Sequence, residues 1–234
     1  PTIESFHAVV SGDDGVLKGG QMKVFVNLGT MGTEAVAEVE ATMAAQGVPV
    51  LDSPITGGVQ RAYAGDITVI SSGPQEIFDQ AEPFLRSFAR DIHYVGGEIG
   101  QAQLVKVCNN IMSFTNLVVA AEALVMAAKG GVDPEKALGV INSGSGQNSA
   151  TLTKIPNFIL NRKFNMEAPM HITEKDVMLW RMEAERLDIP QNVAGATYHT
   201  VRQALAMGLR DADLSEMVKV VERAADFELP KTRD

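Results

Sequence analysis

The chain changes character at Gly96-Gly97, and that change limits the folds open to it. Before it, short β-forming runs alternate with helical ones. Lys23 to Leu28 is apolar, rich in β-formers and ended by Gly29, which reads as a buried strand. Thr33 caps a helix running to about Gln46, with Val36, Val39, Glu40 and Met43 at helical spacing and Gly47 as the stop. Strands follow at Val48 to Leu51, Asp66 to Ser71 and Ile92 to Val95, with a short helix from Pro74 to Leu85. Strand, helix and strand joined by brief links are the signature of a βαβ unit and so of a partly parallel sheet.

After Gly97 the strand signals stop. Ile99 to Lys129 reads as one long helix, too apolar over most of its length for a surface helix, and Gly130-Gly131 ends it. Asp133-Pro134 opens the next helix, and others are expected at about 148–160, 173–187, 190–207 and 213–226. The expected architecture is a small α/β unit over 1–97 and an all-helical unit over 98–226, joined through the long helix, with a tail over 227–234. The most apolar stretch, Leu117 to Ala128, contains Glu122 and is shorter than the roughly 20 residues of a membrane span, so it reads as a buried helix.

Composition narrows the partners. Lys and Arg number 20 against 29 Asp and Glu, a net charge of −9, and no basic stripe exists to hold a phosphate backbone, so nucleic acid is not an expected partner. The single cysteine, Cys108, excludes an intrachain disulfide framework and fits a reducing compartment, here the cytoplasm. His7, His93, His171 and His199 lack metal-ligand spacing, so no metal is expected.

Two constellations can carry chemistry. Asp52-Ser-Pro-Ile-Thr56-Gly57-Gly58 follows the carboxyl end of a strand, where open α/β sheets bind ligands. A hydroxyl followed by two glycines lets a carboxylate approach backbone N–H groups, although the same residues also read as a plain turn. Lys106, Asn109 and Asn110 share one face of the long apolar helix. A partly desolvated lysine there exchanges a proton near neutral pH more readily than an exposed one, and two amides can hold a substrate oxygen; a snorkelling lysine is the alternative.

Taken in order, these motifs resemble the β-hydroxyacid dehydrogenase family, of which 3-hydroxyisobutyrate dehydrogenase is the best-known member. Asp52-Ser-Pro-Ile-Thr-Gly-Gly58 is similar to its Asp-x-Pro-Val-Ser-Gly-Gly substrate motif. Gly100-Gln-Ala-Gln-Leu-Val-Lys106-Val-Cys-Asn109-Asn110 matches its Gly-x-x-x-x-x-Lys-x-x-x-Asn, and Lys175-Asp176 matches its later Lys-Asp pair. The resemblance implies the C-terminal half of a Rossmann-type domain for NAD or NADP, followed by a helical domain that forms a homodimer or homotetramer. It implies Lys106 as general acid/base, and Thr56, Gly57, Gly58 and Asn109 or Asn110 on a small hydroxy-acid substrate. Thr30, Lys175 and Asp176 would contact the cofactor.

Three departures accompany it. Thr56 stands where the family has Ser, and Asn27-Leu-Gly29-Thr30 stands where it has Asp-x-Ser-Thr. The Gly-x-Gly-x-x-Gly fingerprint is absent, which at about 30 residues per βαβ unit places roughly 60–70 residues before Pro1. The start at Pro1 instead of Met favours a piece of a complete dehydrogenase over a truncated dimerisation module. An imine or semialdehyde reductase of the same superfamily is the other enzymatic reading.

Overall fold

The computed structural model describes residues 2–232. Pro1, on which the expectation of a preceding segment rests, and residues 233–234 of the expected tail lie outside the described residues. The chain forms two compact units, one running up to Asn109 with Glu185–Leu187, the other comprising Asn110–Ala184 and the residues from Asp188 on.

In the first unit, α1 (Ile3–Ser11) starts at Thr2, whose hydroxyl accepts the Ser5 N–H at 3.1 Å. Strand β1 (Phe25–Asn27) pairs in parallel with β2 (Val50–Asp52), in the register Asn27↔Asp52. A parallel pair needs a crossover, and α2 (Thr33–Ala44) supplies it. Gly32 is its cap, with φ +83°, and Thr33, expected as the cap, is the first helical residue, so the helix starts one residue earlier than expected.

Strands β2 and β3 (Ile55–Thr56) are interrupted at Ser53-Pro54 and pair antiparallel with successive parts of β4 (Ile67–Ser72). Helix α3 (Val59–Tyr63) lies between β3 and β4, and α4 (Gln75–Leu85) between β4 and β5 (Ala89–Gly96), which pairs with β4 in parallel. The sheet is therefore mixed and the topology Rossmann-like, in line with a partly parallel sheet. Two apolar clusters build this unit, one from α1 and α2 around Phe6, Val36 and Met43, the other from α4 and the strands around Leu51, Val69 and Leu85.

The long helix α5 (Gln101–Lys129) is 29 residues long. Its first turn is tied to the sheet, because Ala102 N–H donates to Ser72 Oγ at 2.9 Å. Among the described residues it is the one helix long and apolar enough to cross a membrane. Its composition reflects burial: Gln103, Lys106 and Asn110 are buried along it, as are Leu117 and Leu124 in the core of the second unit. It is not apolar on the inside alone, since Val105, Met112, Val119 and Met126 are exposed at intervals of seven.

The second unit is helical. Asp133 Oδ1 accepts the N–H groups of Glu135 and Lys136 and so caps α6 (Pro134–Ser143). The stretch Ala150–Ile159, expected as an ordinary helix, is π-helical, and Pro156 within it offers no N–H to an α-helical ladder. Helices α7 (Met170–Arg186) and α8 (Asn192–Ala206) follow. The expected last helix begins as a 3₁₀ turn, Leu214–Met217, before α9 (Val218–Ala225). The segment after α9 is held against this unit: Leu229 is buried, its N–H donates to Glu222 Oε1 at 3.0 Å, and Thr232 N–H donates to Leu160 O at 3.0 Å. Glu222 also receives the guanidinium of Arg162.

Candidate active site

In the first unit the substrate-type motif begins inside the core. Asp52, at the end of β2, is fully buried, and its Oδ1 accepts from Gln103 Nε2 at 2.7 Å and Asn27 Nδ2 at 3.0 Å. Oδ2 is buried without a hydrogen bond. Loss of water raises the Asp52 carboxyl from 3.8 to about 6, although both amides oppose the shift. Ser53 continues this polar line with Ser71, their hydroxyls 2.9 Å apart.

Beyond Pro54 the motif reaches the surface. Thr56 ends β3 and its Oγ1 accepts from Asn109 Nδ2 at 3.1 Å, which brings the two motifs of this unit together. Gly57 and Gly58 have φ of +142° and +79°. A Cβ on Gly58 would meet nothing within 4 Å, so glycine serves backbone conformation here and the space above it stays open to a ligand oxygen. Lys106 lies one turn before Asn109 on α5 and is buried, with 7% of its surface exposed. Thr30 is half-buried in the loop between β1 and α2.

In the second unit the neighbouring asparagine turns to other partners. Asn110 is buried and its Nδ2 donates to Asp176 Oδ2 at 2.7 Å. Asp176 is buried on α7, and Lys175 Nζ stands 2.8 Å from its other oxygen, a charge contact and not an aligned hydrogen bond. The two asparagines thus diverge, Asn109 to Thr56 and Asn110 to Asp176.

Residues 2–96 match the family described as the NAD binding domain of 6-phosphogluconate dehydrogenase. Residues 100–221, more than half of the chain, match the family described as NAD-binding of NADP-dependent 3-hydroxyisobutyrate dehydrogenase. The chain belongs to the β-hydroxyacid dehydrogenase family. Relatives of this chain include the 2-(hydroxymethyl)glutarate dehydrogenase of Eubacterium barkeri, 28% identical over 95% of this chain and 74% of that protein. The 3-hydroxyisobutyrate dehydrogenase of Pseudomonas aeruginosa is 34% identical over 64% of this chain and 50% of its own length. The chain thus spans between half and three quarters of the curated relatives named here. The solved structure of 3-hydroxyisobutyrate dehydrogenase from Salmonella typhimurium shares the fold, with a TM-score of 0.85 at 22% identity, over 94% of this chain and 76% of that one. Members of the family are oxidoreductases that use NAD or NADP.

The loop after β1 has the setting in which open α/β sheets hold a ligand, at the carboxyl end of a strand. Gly29 to Gly32 follows the carboxyl end of a parallel strand, with the Thr30 hydroxyl in the loop and the first turn of α2 behind it. Two groups of this chain carry no motif mark in the sequence. Gln103 is a fully buried amide in the first turn of α5, three residues before Lys106, and a polar residue in so apolar a helix was its only signal. Lys154, in the π-helical stretch, gives its Nζ to the carbonyl and hydroxyl of Ser113, and burial lowers its amine from 10.5 to about 8.

Proposed function

We propose that the complete protein interconverts a small 3-hydroxy acid and the matching aldehyde or keto acid with NAD or NADP, using Lys106 as general acid/base. The burial of Lys106, one helical turn from the amide that holds Thr56, carries this reading. The dinucleotide, when bound, supplies or accepts the hydride. Thr56, Gly57 and Gly58 bind the substrate carboxylate through the hydroxyl and the open backbone. Asn110, held by Asp176, orients the substrate hydroxyl, while Asn109 fixes Thr56. In oxidation Lys106 Nζ takes the hydroxyl proton; in reduction it returns one to the carbonyl oxygen. Thr30, Lys175 and Asp176 serve the cofactor. The two domains of this reading are 1–97 for the dinucleotide and 98–226 for substrate and dimer contacts.

The reading includes a homodimer or homotetramer in the cytoplasm. Val105, Met112, Val119 and Met126 form an exposed apolar seam at seven-residue spacing, as in helices that pack against a second copy. Sedimentation of the complete protein as a monomer would remove it. The function is tested with a panel of hydroxy acids, semialdehydes and imines under both dinucleotides. Turnover of 3-hydroxy acids is expected; reduction of imines without hydroxy-acid oxidation would assign the chain to the reductase reading.

A further inference from the structure

We infer that Gln103 is a positioning residue which fixes the cofactor-side loop, Gly29 to Gly32, to the helix that carries Lys106. The inference rests on the proposed roles of Lys106 and Thr30. A carboxamide has two N–H donors and one carbonyl with two lone pairs. In Gln103 all four are used within the first unit. Oε1 accepts the N–H groups of Met31 at 2.8 Å and Gly32 at 3.1 Å. Nε2 donates to Gly29 O at 3.0 Å and to Asp52 Oδ1 at 2.7 Å.

The four bonds join three pieces of chain far apart in sequence: the loop after β1, the end of β2 and the start of α5. Asn27 braces the same loop from its own strand, donating to Gly29 O at 3.1 Å and accepting the Gly29 N–H at 3.0 Å. Only Gln103, among the side chains with these contacts, reaches the loop from α5. Lys106 follows it by three residues, a rise of about 4.5 Å along the helix. With a dinucleotide held at this loop, any shift of the loop against α5 would change its distance from Lys106 Nζ, and proton and hydride transfer are steep functions of such distances. Mere core filling would not require this pattern, because an apolar side chain of the same length would also fill the space.

The test uses the complete protein with Gln103→Met, which keeps length and burial and removes all four bonds. Dinucleotide affinity is read by fluorescence titration, and kcat, KM and the primary deuterium isotope effect by steady-state kinetics. Expected are a loss of dinucleotide affinity of about fivefold or more and a fall in kcat of about tenfold or more. The isotope effect should rise and the hydroxy-acid KM stay within about twofold, since Thr56 and Asn109 keep their contact. A lower melting temperature with affinity and kcat both unchanged would overturn the inference.

If that variant does not fold, Gln103→Glu takes its place. It retains an acceptor for Met31 and Gly32 but sets a carboxylate against Asp52, so its affinity should recover relative to wild type as the pH falls and the pair takes up a proton. A ratio to wild type that is independent of pH would overturn the inference. Wild-type protein that binds dinucleotide but turns over no hydroxy acid would overturn the function while the affinity arm still decides for Gln103; binding of neither dinucleotide would overturn both.

Discussion

Asn109 Nδ2 lies 3.1 Å from Thr56 Oγ1, across 53 residues of sequence. The hydroxyl that would meet a substrate carboxylate is therefore oriented by the helix that carries Lys106. Asn109→Ala releases Thr56 at a cost of about 1 kcal/mol, the size of one hydrogen bond. The hydroxy-acid KM should rise about fivefold with little change in kcat, as measured by steady-state kinetics. An unchanged KM would separate Thr56 from substrate binding.

On the proposed reading, replacing Lys106 removes the proton carrier. Lys106→Met should lower kcat by about 10²- to 10⁴-fold, the range for a general acid/base, with dinucleotide affinity unaltered. Near-normal rates across several hydroxy acids would exclude Lys106 from the chemistry.

Asp52 makes stability depend on acid pH. Its folded value of about 6 lies above its ordinary 3.8 because it is buried. Between about pH 4 and 6 the folded chain keeps a proton that the unfolded chain has released, so stability falls as pH rises through that window. Asp52→Asn lacks this proton. The melting temperature of wild type minus that of the variant should decline from pH 4 to 6, and a constant difference would contradict the shift.

Lys154 acts at the alkaline end with the opposite slope. Its folded value of about 8 is below the ordinary 10.5, so the unfolded chain binds the extra proton between those values. Stability from this group is lost as pH falls through about 8 and regained toward 10.5. Lys154→Met should flatten the profile of melting temperature between pH 8 and 10.5; persistence of the wild-type slope would assign it to other groups.

The change from a strand-and-helix part to an all-helical part, the long apolar helix and the three family motifs were legible because each is a local pattern: hydrophobic period, turn residues and fixed spacing; helices α1 and α3 were not expected. Lys106, Thr56, Gly57 and Gly58 could be named from that pattern alone. The two-residue strand β3 could not, since its pairing with β4 comes from distant residues and not from its own propensity. Nor could the π-helical form of Ala150–Ile159, where helical periodicity is present but the ladder differs.

The partners of buried polar groups were likewise invisible along the chain. Adjacent Asn109 and Asn110 look equivalent in sequence, yet about 100° of helical rotation sends one to Thr56 and the other to Asp176. Gln103 carried no motif, and its four hydrogen bonds exist only because three remote backbone segments converge on it. Spacing along a chain specifies which residue types share a face. Which donor meets which acceptor is specified by packing, because a buried polar atom must find its partner wherever the fold has brought one.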